Sequence, residues 1–477
     1  MSPVVAKDPV SLPEPAPPVS PKQEVEFACE GPNFGGEGKS GKRAEAKKKD
    51  EKKQEDSPVD FSGHYRLRWE SQQNFDLVYS RDHLAPPGQD NDDNFLLSQL
   101  RLNLDLKPTK HFHAHFTFQD ARETGSHQID HDALDRAFQN SIQNKADLYE
   151  AWIKLRLCDA PVWLQVGRQE LIYGDRRLLG NSRFRNTGRN FDALRLIFEQ
   201  DDVKLDLFAA NRVRVDSNAW DRADHNDNFL GAYATVKNLP HGVQDLYLLY
   251  RDNDQTHREE YSLGTRIVGD EGPWDWNLEG VYQWGSSVDT VRPFVSSTEI
   301  LDHQAWAVHA ELGYICKDHP LMPRLALEYD FASGDKDPFD GENNTFDQLY
   351  PNNHTPFGIM DFVGWKNIQI LAPKLAWQQS KKLRMGADWF LFWQPEESND
   401  AWYDSGGHQF RNARGASAER FMGHELNIYG VYEVNDDFEV EAGYGHFFAG
   451  GLAADTAPLG GGADDADFAY IQTTWKF

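Results

Sequence analysis

The feature that most constrains the fold is an alternation of apolar and polar residues that recurs along the chain in segments of about ten residues. Successive side chains of a β-strand point to opposite faces, so a period of two predicts a strand with one apolar and one polar face. In residues 274–284 one parity consists of Trp274, Trp276, Leu278, Gly280, Tyr282 and Trp284, and the other of Asp275, Asn277, Glu279, Val281 and Gln283. Residues 321–331 repeat the pattern, and residues 467–477 end the chain on a face that closes with Trp475 and Phe477.

Eighteen such segments follow one another from Asp60 to Phe477. They are residues 60–70, 94–106, 111–120, 146–158, 161–169, 190–199, 203–212, 228–237, 243–251, 259–268, 274–284, 301–315, 321–331, 367–377, 383–393, 420–432, 438–448 and 467–477. Eight connections are tight turns and nine are long, among them residues 71–93, 121–145, 332–366 and 394–419. An even number of strands, with short turns at one end and long loops at the other, is typical of a bacterial outer-membrane barrel.

We therefore predict an all-β fold, a transmembrane antiparallel β-barrel of about 18 strands with short periplasmic turns and long extracellular loops in the bacterial outer membrane. The segment lengths suit a tilted membrane strand, which needs about 9 to 11 residues. The barrel is predicted to occupy residues 58–477. Residues 1–57 are rich in proline and then in lysine and glutamate, a composition that predicts a disordered tail.

Targeting and composition limit the alternatives. The tail lacks the continuous apolar run of about 7 to 15 residues that a secretory signal needs, so we expect such a signal upstream of Met1 or already removed. No run reaches the roughly 20 apolar residues of a membrane-spanning helix. A formal net charge of -27 argues against nucleic acid as a partner, because nucleic-acid binding depends on neutralising phosphates. Cys29, Cys158 and Cys316 show no CxxC spacing and indicate neither a disulfide framework nor a zinc site.

The segment between residues 167 and 196 carries an unusual density of arginine, at positions 176, 177, 183, 185 and 189. A guanidinium is always charged and can donate two parallel hydrogen bonds to one carboxylate, which suits the uronate sugars of acidic polysaccharides. The same arginines could instead hold acidic loops together or bind lipopolysaccharide phosphates outside the cell. Both alternatives remain open from the sequence.

Lumen-facing charges also sort unevenly along the chain, because the first seven strands are net basic and the later strands net acidic. The predicted pore-lining or substrate-binding residues are Arg66, Arg68, Arg101, Lys154, Arg156, Arg168, Arg176, Arg177, Arg189 and Arg195. The predicted acidic pore residues are Asp105, Glu150 and Asp175, which would compete for the guanidiniums and keep each contact weak enough to release a polymer. The alternative is that these charges only brace the barrel with salt bridges.

Metal and enzyme chemistry receive little support. His111, His113 and His115 share one strand face, and residues 334–344 are acidic, but the first group lacks an obvious carboxylate partner and the second misses the EF-hand spacing. We expect no metal and no cofactor. The chain has no GxSxG, Walker or HExxH motif, so we do not expect an enzyme, although a serine and a histidine could still be assembled in space.

Several motifs resemble those of a known family. The runs GRQELIYGDRRLLG and GRNFDALRL lie within residues 167–196, FASGD spans residues 331–335, TFDQLYPNNH spans residues 345–354, and Gly358 and Asp361 follow. Together they resemble the alginate-export family of outer-membrane barrels, and the resemblance extends over residues 60–477. It implies an eighteen-stranded monomeric barrel with a narrow, cation-lined pore for an acidic polysaccharide.

The leading hypothesis is an outer-membrane channel that passes an anionic polysaccharide such as a polyuronate, or a smaller anion, through an arginine-flanked pore. A general diffusion porin without polymer preference is the first alternative. A barrel whose loops carry adhesion or hydrolase activity is the second. Expected partners are the transported anion, outer-membrane lipid and lipopolysaccharide, with periplasmic export components as a further candidate and the barrel itself a monomer.

Overall fold

The computed structural model describes residues 57–75, 92–127, 140–157, 160–239, 242–254, 256–288, 300–337, 340–352, 354, 356–395, 401–412, 419–456 and 464–477. The predicted tail therefore lies outside the described residues, except for Ser57, as do Cys29 and Cys158. No helix in these ranges is long and apolar enough to cross a membrane.

The described residues form 21 strands and one short helix, α1 (Gly451–Asp455). The strands are β1 (Val59–Gln73), β2 (Asp93–Thr109), β3 (Phe112–Thr124), β4 (Asn144–Arg156), β5 (Val162–Gln169), β6 (Phe191–Gln200), β7 (Val203–Arg214), β8 (Arg222–Leu239), β9 (Gly242–Asn253), β10 (Arg258–Glu271), β11 (Trp274–Val288), β12 (Ile300–Ile315), β13 (Arg324–Ala332), β14 (Glu342–Asn343), β15 (Ile368–Gln378), β16 (Leu383–Trp393), β17 (Ala401–Tyr403), β18 (Gln409–Asn412), β19 (Phe421–Glu433), β20 (Phe438–Ala449) and β21 (Ala466–Lys476).

Eighteen of these strands, all except β14, β17 and β18, pair in sequence order as an antiparallel barrel. The barrel closes where β21 pairs with β1, in a register that runs from His64 opposite Lys476 to Gln73 opposite Asp467. Closure pairs the backbone of every barrel strand with two neighbours, which a bilayer demands because it offers no water to exposed N–H and C=O groups. The predicted fold class and strand number are confirmed.

The two faces of each strand sort as the alternation predicted. On β13, Leu325 and Leu327 are 55% and 52% exposed, whereas Glu328 and Asp330 are fully buried. Trp274 and Trp475 are exposed at the short-turn ends of β11 and β21, and Trp69 is exposed toward the long-loop end of β1. The outward surface is therefore an apolar band with aromatic residues toward both ends, as on a membrane barrel.

The structure departs from the predicted boundaries where the alternation weakens. β8 has 18 residues, although alternation marked only residues 228–237, because a ladder can continue beyond the bilayer where no apolar face is needed. The predicted long loop 394–419 contains the β17–β18 hairpin. The acidic segment 334–344 contains β14, which runs parallel to β12 through the pairs Asp302–Glu342 and His303–Asn343.

The hydrophobic core lies inside the barrel, where two long connections fold into the lumen. We call residues 170–190, between β5 and β6, the arginine loop, and residues 333–367, between β13 and β15, the partner loop. Leu178 and Leu179 of the first and Tyr350, Phe357 and Trp365 of the second are buried in one cluster with lumen-facing side chains of the strands. The two connections consequently fill part of the barrel lumen.

Candidate functional site in the barrel lumen

The arginine loop and the partner loop are joined by backbone hydrogen bonds. Gly180 N donates to Tyr350 O at 2.9 Å, Tyr350 N donates to Leu178 O at 2.9 Å, and Asn352 N donates to Arg176 O at 2.8 Å. A glycine is needed at position 180, because a Cβ there would lie 2.8 Å from the Cβ atoms of both Arg176 and Asn352. The segments that carry the family-like motifs are therefore neighbours in space, although about 170 residues separate them along the chain.

Aromatic rings fix the same two loops beside β1 and β21. Phe184 of the arginine loop stacks on His354 of the partner loop, and Tyr470 of β21 meets the Phe184 ring edge-on at 5.3 Å. The Arg68 guanidinium lies 3.7 Å from the centroid of the Phe184 ring. A cation over an aromatic face is attracted by the quadrupole of the ring, so this arginine helps to position the loop.

Three predicted pore residues on β1 and β2 face the lumen and contact the arginine loop. Arg66 donates to the carbonyl oxygens of Arg183 and Arg185 at 2.8 and 3.2 Å. Arg68 pairs with Glu70 at 2.6 Å. Arg101 donates to Gln119 at 2.7 Å, lies 3.7 Å from the centroid of the Tyr149 ring, and is 3.9 Å from Glu170 of the arginine loop. These cations are held in place by other protein groups.

Arg177 and Asp175 belong to a buried ion network. The Arg177 guanidinium pairs with Asp175 at 3.0 Å, with Asp330 at 3.1 Å and with Glu328 at 3.2 Å. Burial opposes the charge of both loop residues, but the neighbouring opposite charges prevail. They raise the pKa of Arg177 above its ordinary value and lower the pKa of Asp175 below its own. Through Glu328 and Asp330, Arg177 anchors the arginine loop to β13.

Arg189 has a different environment, because its side-chain hydrogen bonds go to the carbonyl oxygens of Pro351 at 2.7 Å and Gly180 at 3.3 Å. Burial lowers the pKa of Arg189, and the nearby guanidiniums of Arg212 and Arg185 lower it further. Three arginines therefore share one region of the lumen. Sequence reasoning missed Arg212, although it has the same strand parity as the lumen-facing Lys204 and Asp206, which was the available signal.

The remaining predicted cations lie on β4, on β6 and in the arginine loop. Arg195 of β6 pairs with Asp206 of β7. Lys154 of β4 lies 5.1 Å from the centroid of the Trp163 ring, and Arg156 donates to Ala160 O at 3.1 Å beside the turn that joins β4 to β5. Arg176 adopts a left-handed backbone with φ of 70° where the arginine loop reverses, and its N–H donates to Tyr173 O.

Arg168 does not line the lumen, contrary to the sequence-based prediction. It shares a parity on β5 with Val166, which is 40% exposed on the outward face, and its register partner Asp192 shares a parity on β6 with the exposed Leu194. Arg168 pairs with Asp192 at 2.9 Å and donates to Asp221 O at 3.0 Å. The prediction treated Arg168 as part of the arginine-rich motif and overlooked the alternation of its strand.

The predicted acidic residues of β2 and β4 contact histidines. Asp105 lies 2.6 Å from His113 and 3.1 Å from His115, and Glu150 lies 3.7 Å from His115. The histidine face therefore has the carboxylate partner that the sequence did not reveal. Nevertheless, neither this group nor residues 334–344 provide three converging ligand atoms within the described part of the chain.

A cavity of about 170 Å³ is lined by residues of β1, β2, β20, β21 and the arginine loop. Its lining includes the cations Arg66, Arg101, Arg183 and Lys476, the ring of Phe184 and a single carboxylate, that of Glu441. Amides of Gln99, Asn103 and Gln472 also reach it. Cationic groups and amides are groups that would contact a charged, hydroxyl-rich solute. We take this cavity, the arginine loop that borders it and the partner loop that packs against the arginine loop as the candidate site.

Several solved structures share the fold of this chain. Acinetobacter baumannii OccAB1 superposes with a TM-score of 0.58 at 11% identity, over 88% of this chain and 96% of that chain. Pseudomonas aeruginosa OccK11 (OpdR) gives 0.54 at 11% identity, over 88% and 96%. Pseudomonas aeruginosa OpdO gives 0.54 at 14% identity, over 88% and 97%. The closed barrel and its apolar outward band define an outer-membrane β-barrel protein.

The family is shown by sequence. Residues 57–459 match the alginate-export family model, so the chain belongs to the alginate-export family. Comparison with curated protein sequences finds no significant match. The bacterial outer membrane is the location of this channel.

Proposed function

We propose that this outer-membrane channel selects anions and passes an acidic polysaccharide, such as a polyuronate, along its arginine-flanked lumen. The observation that carries the proposal is the charge of the cavity, which has four cationic side chains against one carboxylate in a chain whose net charge is -27. The cavity is therefore positively charged within a chain that is negatively charged overall. A positively charged cavity raises the local concentration of anions, because charges at a low-dielectric wall focus the electric field.

The size of the cavity supports contact with one short stretch of solute at a time. At about 170 Å³ it is smaller than the roughly 300 to 1,000 Å³ of pockets that enclose drug-sized ligands. A polymer would therefore occupy it a sugar at a time and continue along the lumen. Bidentate donation from arginine replaces the hydration of each carboxylate.

The salt bridges support a division between residues that brace the lumen and residues that would bind the solute. Arg68, Arg177 and Arg195 have carboxylate partners and position the loops or the wall. By contrast, the side-chain hydrogen bonds of Arg189 to described residues go to neutral carbonyl oxygens, which do not neutralise its charge. We assign the transport role to Arg189 and the cavity cations, of which Arg101 and Lys476 also lie 3.9 and 3.5 Å from Glu170 and Glu439. We assign the bracing role to Arg68, Arg177 and Arg195.

Block of single channels by oligosaccharides tests this function. Purified barrel in planar bilayers should show current block by uronate oligomers and much weaker block by neutral oligosaccharides of equal length. Replacing Arg183 and Lys476 together by Gln should weaken the uronate block. The matched control is Arg122→Gln, because Arg122 lies on the outward face of β3, 54% exposed. Equal block by charged and neutral oligomers would favour the general diffusion porin.

A further inference from the structure

One cluster of potential metal ligands lies on the lumen wall away from the cavity. His309 of β12 is directly opposite Asp330 of β13, and Glu328 lies two residues before Asp330 on the same face. His309 is 2% exposed, and both carboxylates are fully buried. One ligand atom from each residue lies within 4.8 Å of the others, and no other group of three in the described ranges meets this spacing.

The hydrogen bonds of these residues leave one atom of each without a partner. Asp330 Oδ1 accepts from Arg177 and contacts His309 Nδ1 at 2.9 Å, and Glu328 Oε2 accepts from Arg177 and Lys374. His309 Nε2, Asp330 Oδ2 and Glu328 Oε1 are buried and have no hydrogen-bond partner among the described residues. Each unpartnered polar atom in a buried site carries an uncompensated desolvation cost, so three in one place need an explanation.

The charge of the surrounding network of ion pairs also favours a bound cation. The residues connected by ion pairs are Asp175, Asp275, Glu311, Glu328, Asp330, Arg177, Arg324 and Lys374. With five carboxylates and three cations, the network has a formal charge of -5 + 3 = -2 when all are ionised. A buried net charge of this size is costly, and one divalent cation would balance it.

We propose that His309, Glu328 and Asp330 bind a divalent transition-metal cation on the wall of the lumen. One imidazole nitrogen and two carboxylate oxygens are suited to Mn²⁺, Fe²⁺ or Zn²⁺. Bonds of about 2.0 to 2.2 Å place opposite donors up to about 4.4 Å apart, close to the 4.8 Å spacing of these three residues. Arg177 and Lys374 contact one oxygen of each carboxylate, which leaves Asp330 Oδ2 and Glu328 Oε1 as the candidate carboxylate ligands.

Metal binding to the full chain in detergent tests the proposal. After treatment with a chelator and removal of the chelator, titration with Zn²⁺ or Mn²⁺ should give one ion per chain by calorimetry and elemental analysis. Glu328→Gln keeps the shape and removes a charged ligand, so affinity should fall by roughly 10-fold to 100-fold or more. His309→Gln should act similarly. The matched control is the pair His113→Gln and His115→Gln, which should leave affinity unchanged.

Spectroscopy on the unmodified chain keeps the test decisive if a variant does not fold. Bound Co²⁺ should show visible absorption bands characteristic of a site with nitrogen and oxygen ligands, and Zn²⁺ should abolish them by competition. Absence of uptake would overturn the proposal and assign the network to carboxylates that share protons. Uptake that is equal in wild type and Glu328→Gln would also overturn it, because the ion would then sit elsewhere on the protein or on residual lipopolysaccharide.

Discussion

The Arg177 guanidinium of the arginine loop lies 3.1 Å from the carboxylate of Asp330 on β13, although 153 residues separate the two in the chain. Both side chains are buried. The pair connects the loop between β5 and β6 to β13, a strand that does not neighbour β5 or β6 in the barrel. The position of the arginine loop in the lumen therefore depends on an ionic contact as well as on the backbone pairing with the partner loop.

Replacing Arg177 by Met should destabilise the barrel and loosen the arginine loop. Removal of one partner from a buried ion pair leaves uncompensated charge, and the cost is about 3 to 5 kcal/mol. The temperature at which heating abolishes the folded band on a gel should fall, and channel current should become larger or noisier. Arg122→Met removes an outward, exposed arginine and should change neither property. Equal behaviour of the two variants would contradict an anchoring role for Arg177.

Gly180→Ala should disturb the pairing of the two loops without touching any charge. The new Cβ would lie 2.8 Å from two other Cβ atoms, and overpacking of this kind costs about 1 to 3 kcal/mol. Open-channel conductance should rise if the loops separate. The control is Gly280→Ala, where a Cβ meets nothing within 4 Å and the backbone is not left-handed. Unchanged conductance and heat stability in Gly180→Ala would show that the close approach is unimportant.

Leu327→Arg tests the outward face of β13. A cation near the middle of the bilayer costs about 2 to 4 kcal/mol on the lipid face of a barrel, so the folded fraction recovered from membranes should drop. Trp220→Arg places the same charge on an exposed residue between β7 and β8, outside the strands, and should be tolerated. Similar losses in both variants would show that Leu327 does not face lipid.

The heat stability of the barrel should depend on pH through Asp221, which lies just before β8. Burial and the neighbouring carboxylate of Asp147 raise the pKa of Asp221 to about 7, above the ordinary value of 3.8. The folded state therefore holds this proton more tightly than the unfolded state, and its stabilising effect declines as the pH rises from about 4 to 7. Wild type should unfold on heating at a lower temperature at pH 8 than at pH 5, and Asp221→Asn should narrow the difference. An unchanged difference in that variant would contradict the assignment.

Much of the fold was predictable from the sequence, because a bilayer imposes one rule on every strand. Alternation identified all eighteen barrel strands and the outward position of Leu327, and only strand ends beyond the apolar band, as in β8, were misjudged. The same rule would have placed Arg168 outside, since Val166 and Arg168 differ by two residues on one strand.

The candidate site was less accessible to sequence reasoning, because its contacts join distant segments. The pairing of Arg177 with Glu328 spans 151 residues, and the contact of Asp105 with His113 depends on the register between β2 and β3. Charge counting along the chain found a basic and an acidic wall but could not distinguish a braced arginine from an available one. That distinction requires hydrogen-bond partners, which only the folded structure supplies.

The reversal potential of single channels in a salt gradient reports the sign of the charge that the lumen prefers. We expect anion selectivity for the wild type and a shift toward cation selectivity when Arg183 and Lys476 of the cavity are both changed to Gln. Arg122→Gln should leave the potential unchanged. Cation selectivity in the wild type, or an identical potential in the cavity variant, would contradict the assignment of this lumen to anionic solutes.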